Sequence, residues 1–254
     1  QICIQIFSCI IMIYHGDVKI LQFGNIFGFG RPVTFIGLET VVTIFCIVGV
    51  LNSLNLIDGI DGICGSICLV NFFSIIVLVI FSEVTTSIAI ILYFASAIIG
   101  FLIVNTGLTR GIIKKVFLGD AGTTTIGFFI CWYLISLSNG DKSVFRPITA
   151  VWIIALPIID TVSVMIRRLY LKQSPFRPGR DHIHHLLIGL GWSSIKVLTV
   201  LTSFAVLLAG CGILAEINDI PESFMFYSFL IVFLLYYLIV QKLSKSTSTS
   251  PNSF

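Results

Sequence analysis

Two aspartates three residues apart, each followed by glycine, stand in NLIDGIDG at residues 55–62. Long apolar runs flank them, LETVVTIFCIVGVLNSL before and ICGSICLVNFFSIIVLVIF after. An aspartate at the centre of a bilayer costs about 2.5–3.5 kcal/mol even on insertion scales, and less at a helix end. If the preceding helix continues through the motif, Asp58 and Asp61 at i and i+3 share one face. The glycines let another backbone or a ligand come close. A helix cap followed by a turn is the plainer reading. A polar site at the membrane surface accounts better for the paired glycines.

Two further stretches hold polar groups of a reactive kind. NTGLTRGIIKKVFLGDAGTTT, residues 105–125, sets Asp120 between glycines just before a helix expected to begin near Thr123. A carboxylate on mobile backbone can turn toward a metal, and the helix N-terminus offers N–H groups to phosphate. Lys114 and Lys115 add attraction for an anion. RRLYLKQSPFRPGRDHIHHLL, residues 167–187, carries His182, His184 and His185 among Arg167, Arg168, Lys172, Arg177 and Arg180. Three histidines without a neighbouring cysteine make an incomplete zinc set. Guanidinium forks suit phosphate oxygens, so arginine and histidine beside a polyanion fit better. Carboxylates with basic groups suit a diphosphate carrying Mg²⁺, which takes one or two carboxylates plus phosphate oxygens. Phosphoryl-type transfer needs positioning and charge neutralisation more than covalent help.

The elements that must position these groups are membrane helices. The 254 residues are 57% hydrophobic and 11% charged, against about 25% charged in a soluble domain. A bilayer core takes about 20 apolar residues per helix. Roughly eight runs qualify, near 1–14, 36–54, 63–81, 88–104, 124–138, 147–166, 197–215 and 223–241. They are continuous rather than alternating, so the fold class is all-α, a polytopic membrane protein and not a β-barrel. Residues 1–241 read as one multi-helix membrane domain, and 242–254 as a polar, disordered tail. HGDVKILQFGNIFGFGRP, between the first two helices, suggests a short hairpin outside the membrane. The seven cysteines sit in or beside apolar runs and read as buried small hydrophobes, with neither disulfide nor metal.

Sidedness follows from charge. Eleven of the 15 lysines and arginines fall on the side of the loops at 55–62, 105–123, 167–196 and the tail; four fall on the other. The positive-inside rule puts the first side in the cytoplasm. All three reactive stretches therefore share one face. A transporter would instead place its acidic groups near the bilayer midplane.

NLIDGIDG, then Asn105 ahead of FLGDAGT, then SPFRPGRDHIHHLL resembles the polyprenyl-phosphate N-acetylhexosamine-1-phosphate transferase family, in the family's motif order and over nearly the whole chain. The HIHH form is similar to the WecA-like branch. The resemblance implies transfer of GlcNAc-1-phosphate, or a related sugar phosphate, from a UDP-sugar to undecaprenyl phosphate with release of UMP. It implies Mg²⁺, or Mn²⁺ in its place, with Asp120 as the metal ligand. Asp58, Asp61, Asp120 and His182 would be catalytic. Asn55, Asn105, Arg180, His184 and His185 would bind substrate, with Asn105 beside the uracil. Asp160 in ALPIIDTV would be structural or a partner for Arg167 or Arg168. A bacterial plasma membrane, a lipid partner and no nucleic acid are implied; a homodimer and UDP-MurNAc-pentapeptide as donor stay open.

One difference matters. The family has an adjacent Asp-Asp pair in an earlier cytoplasmic loop, associated with the lipid phosphate, and no such pair occurs here. The family has about ten or eleven helices, more than the apolar runs here supply. With Gln1 in first place, the expectation is a missing N-terminal part, and a chain that is inactive as given or a non-catalytic relative.

Overall fold

The computed structural model describes residues 2–82, 88–109, 113–140, 143–175, 177, 179 and 181–248, with residues 246–248 described for their backbone alone. Among the described residues ten helices run α1 (Ile2–His15), α2 (Glu39–Ile57), α3 (Ile63–Phe81), α4 (Ala89–Asn105), α5 (Gly119–Ser138), α6 (Pro147–Ile153), α7 (Ala155–Tyr170), α8 (Ile183–Gly189), α9 (Ser194–Ile217) and α10 (Glu222–Ser248). No strand occurs among the described residues, as the all-α reading expects. Among the described residues five helices are long and apolar enough to cross a membrane, or six if α6 and α7 form one broken span. The eight expected runs all appear as helix, but α1 and α4 are short apolar helices below that length.

α3 lies at the centre, packed on α4, α5 and α9, while α2 packs on α1, α5 and α7. Burial follows this order: 67% of the apolar window of α3 is buried, against 17% of that of α10. The exposed residues of α10 include Leu230, Ile231, Leu234, Leu238 and Ile239, the surface a lipid-facing helix presents. Gly127 lets α5 close on α2, since a Cβ there would lie 2.9 Å from Leu51 and from Leu54.

Three expectations change. The run at 147–166 is two helices meeting at 79°. Pro157 has no N–H for a bond to Ile153, and its ring would clash with that carbonyl, so a continuous helix breaks at Ile154. The hairpin expected between α1 and α2 reduces to one antiparallel bridge, Gln22 with Thr34, beside the Phe23–Val33 and Val33–Gly24 backbone bonds at 2.9 Å each. The last helix continues through Ser248, into the segment read as disordered.

The loops sort to two ends. At one, Asn139 Oδ1 accepts from the backbone N–H of Leu21 and Gln22, and Arg146 pairs with Glu216. At the other lie the turn between α2 and α3, the segment leading into α5, and α8. This is the division that the lysine and arginine distribution requires of a chain crossing the membrane repeatedly.

Candidate active site

The α2–α3 turn does not continue the helix. α2 ends at Ile57, and Asp58 is its C-cap with φ −75° and ψ 54°. The expected helical face shared by Asp58 and Asp61 is therefore replaced by a tight turn. Gly62, at φ +83°, starts α3 from a left-handed conformation that a side chain would strain. Asn105 at the end of α4 fixes this turn. Its Oδ1 accepts from Gly62 N–H at 2.6 Å, and its Nδ2 donates to Val116 O at 2.8 Å. Asn105 is buried, and its amide is spent on joining two loops.

α5 begins at Gly119, earlier than the sequence suggested, so Asp120 lies in its first turn. A carboxylate there is favoured by the positive end of the helix dipole. Thr123 Oγ1 donates to Asn55 Oδ1 at 3.4 Å, bringing the end of α2 to this helix start. Lys115 Nζ lies 2.5 Å from Asp61 Oδ2. Both partners are substantially exposed, so the pair orients Asp61 more than it stabilises the fold. Burial, then the charges of Asp61 and Asp120, raises the Asp58 carboxyl above its ordinary value. Carboxylates of the α2–α3 turn and of the start of α5 are thus close enough to bear on Asp58 electrostatically.

The histidine segment meets the same turn. A Cβ on Gly59 would overlap His184 Nε2. His184 is fully buried, and neither ring nitrogen has a hydrogen-bond partner among the described residues. Its ring centroid lies 4.0 Å from that of His185 and 6.1 Å from that of His182. Burial first, then His185, lowers the His184 pKa to about 3, with Asp160 pulling the other way. The neutral imidazole is thus the favoured form of His184, and buried ring nitrogens of this kind are ordinarily hydrogen-bonded.

Asp160 does not pair with Arg167 or Arg168, contrary to one expectation. Both arginines reach Asp181, at 3.5 Å and 3.1 Å. Asp160 instead faces His182 Nδ1 at 2.8 Å. The Asp181 that both arginines reach also lines a cleft of about 260 Å³, with Arg167, Leu171, Gln173, Arg177 and Gly179. Arg180 lies outside the described residues. Asp181, Thr123 and Tyr236 were not singled out from the sequence. Asp181 directly precedes the histidine motif, which is a signal; Tyr236 sits in an apolar run and gives none.

Of the expected residues, Asn55, Asp58, Asp61, Asn105, Asp120, His182, His184 and His185 lie on three segments that converge at one end of the bundle. Among the described residues no three His, Cys, Asp or Glu side chains could hold a metal by themselves. The donor set nonetheless suits Mg²⁺, which keeps waters and shares a substrate's phosphate oxygens with one or two carboxylates. Asp120, exposed and near Asp58, has the chemistry for it.

The sequence model of glycosyl transferase family 4 matches residues 1–138. The chain belongs to this family. An undecaprenyl-phosphate alpha-N-acetylglucosaminyl 1-phosphate transferase from Escherichia coli O157:H7 is 38% identical over 230 residues, covering 89% of this chain and 62% of the relative. The protein of that name from Haemophilus influenzae is 39% identical over 238 residues, covering 92% and 65%. The Salmonella typhi protein is 43% identical over 142 residues, covering 56% and 38%. The chain thus spans less than two thirds of the length of these relatives. The matched stretches extend past the 138 residues of the family model, so in the first two relatives similarity continues toward the histidine segment.

Proposed function

We propose that the protein transfers a sugar-1-phosphate, GlcNAc-1-phosphate in the first instance, from a UDP-sugar to undecaprenyl phosphate at the cytoplasmic face of a bacterial plasma membrane. One observation carries the reading. The acidic turn, the Asp120 helix start and the histidine segment meet at one end of an apolar bundle, where a soluble nucleotide sugar and a membrane-bound acceptor can both reach. A phosphate oxygen of the lipid attacks the sugar-bound phosphorus. The bond from that phosphorus to the UMP oxygen breaks, and UMP leaves with the electron pair. Bound Mg²⁺ would neutralise charge on the diphosphate; Asp120, with Asp58, would hold it. Lys115 keeps Asp61 directed into the turn. His184, neutral and without a hydrogen-bond partner among the described residues, can donate from one ring nitrogen and accept at the other when substrate enters. The arginines of the neighbouring cleft supply positive charge for oxygens of a phosphate.

The test is to supply the full-length protein, with any segment its gene encodes before Gln1, in membranes with Mg²⁺, undecaprenyl phosphate and several UDP-N-acetylhexosamines, then follow UMP and the lipid product by mass spectrometry. UDP-GlcNAc is expected to give both. Binding of the donor without UMP would favour a non-catalytic relative. No product with any donor would refute the transferase reading.

A further inference from the structure

Asp160 stands one helix back from the three converging segments, on α7, and is 1% exposed. A buried carboxylate is tolerated only when donors satisfy it. Three reach it. The Tyr236 hydroxyl on α10 donates to Oδ1 at 2.8 Å. The Ile183 backbone N–H, at the start of α8, donates to the same oxygen at 3.1 Å. His182 Nδ1 lies 2.8 Å from Oδ2. Opposite a carboxylate that accepts, the neutral form of the imidazole holds its hydrogen on Nδ1 and keeps the lone pair on Nε2. His182 is 3% exposed, and its Nε2 makes no hydrogen bond among the described residues. The His182 and His184 rings are within 13° of parallel, and His184 abuts the Gly59 turn.

We infer that Asp160 is a positioning residue for the transfer reaction: it fixes the tautomer of His182, so that Nε2 is left as a hydrogen-bond acceptor for the reaction. The inference rests on the transferase reading of the site. The hydrogen bond made by one ring nitrogen sets which proton the other carries. Tyr236 joins the outermost helix to this arrangement, and Ile183 N–H ties the same carboxylate to the first residue of α8. The substitution that tests the idea is close to isosteric. In Asp160→Asn the amide oxygen can still accept from Tyr236 and Ile183, while the amide NH₂ faces His182 Nδ1. That partner forces Nδ1 to accept and moves the hydrogen to Nε2, the wrong tautomer in otherwise similar geometry.

The experiment uses the intact protein in lipid nanodiscs with ¹⁵N-labelled histidine, the His182 signals being assigned by loss in His182→Gln. The wild type is expected to show a protonated Nδ1 and a bare Nε2, and Asp160→Asn the reverse. Turnover should fall about 10- to 100-fold in Asp160→Asn, with the donor KM changed by less than about twofold. Asp160→Glu should restore the Nδ1–H form and part of the turnover. A wild-type His182 protonated at Nε2 would overturn the inference, and that spectrum decides even if Asp160→Asn does not fold. A loss expressed in KM alone, with the tautomer unchanged, would overturn it too. Absence of UMP release from wild type counts against the transferase reading alone, since the tautomer is read without turnover.

Discussion

The contact between Gly59 and His184 links two motifs far apart in the chain, and it has room for no side chain. Gly59→Ala should therefore reduce turnover at least about tenfold, by pushing the imidazole out of place. In the double variant with His184→Ala the penalty should vanish, leaving the activity of His184→Ala alone, because sites in contact are not additive. Additive losses in a transfer assay would contradict the contact. His184 also gives a pH signature. Its folded-state pKa, about 3, lies below the ordinary value near 6.5. The unfolded chain then binds the extra proton, so the stability from this group is whole above about pH 6.5 and drains as pH falls toward 3. Thermal unfolding in detergent should drop between about pH 7 and about pH 5 in wild type, and less in His184→Gln. Equal drops would contradict a buried neutral imidazole. Asp58 has the opposite bias, since burial and two neighbouring carboxylates favour its protonated form. The chemical types of these residues were legible in the sequence. Their pairings were not, because Lys115 with Asp61, or His182 with Asp160, depends on which loops the bundle brings to one end.

Among the elements, the apolar runs were read well because a 3.6-residue helix with lipid around it needs nothing but length and apolarity. What escaped was local. The α6–α7 bend depends on one proline acting on the carbonyl four residues before it. α8 spans only Ile183–Gly189 and falls within a loop dominated by charge. The early start of α5 at Gly119 was hidden by the glycines of FLGDAGT, which read as loop. The far end of the bundle shows how a break between helices is held. Arg146, before α6, bonds Glu216 Oε2 through Nε at 3.1 Å and the Ile220 carbonyl through Nη1 at 2.7 Å. Its Nη2 reaches the Ala215 carbonyl at 3.3 Å. A guanidinium on the last carbonyls of α9 caps that helix and complements its dipole. Arg146→Ala should cost about 1–3 kcal/mol, the range for leaving partly buried acceptors without their charged donor. Because this cluster lies at the end away from the carboxylates, turnover per folded molecule should stay unchanged. A destabilised protein with normal kinetics is the expected result; loss of turnover without loss of stability would argue against the division into two ends.

At the scale of the molecule, the asymmetric distribution of lysine and arginine and the sorting of the loops agree: the chemistry belongs to one face. In a cysteine-free background, Phe29→Cys, whose parent side chain is 83% exposed, should react with an impermeant maleimide added outside intact cells. Ser174→Cys, in the segment before the histidines, should react only after permeabilisation. The reverse pattern would invert the orientation. The central claim is narrower, that Asp120 and the converging segments form one transfer site. It is tested most directly by a radiolabelled assay with UDP-GlcNAc, undecaprenyl phosphate and Mg²⁺, run on membranes carrying the full-length protein and on membranes carrying its Asp120→Asn variant. The account predicts lipid-linked label and UMP from the first and none above background from the second, with both proteins present in equal amount. Equal rates from the two would contradict it.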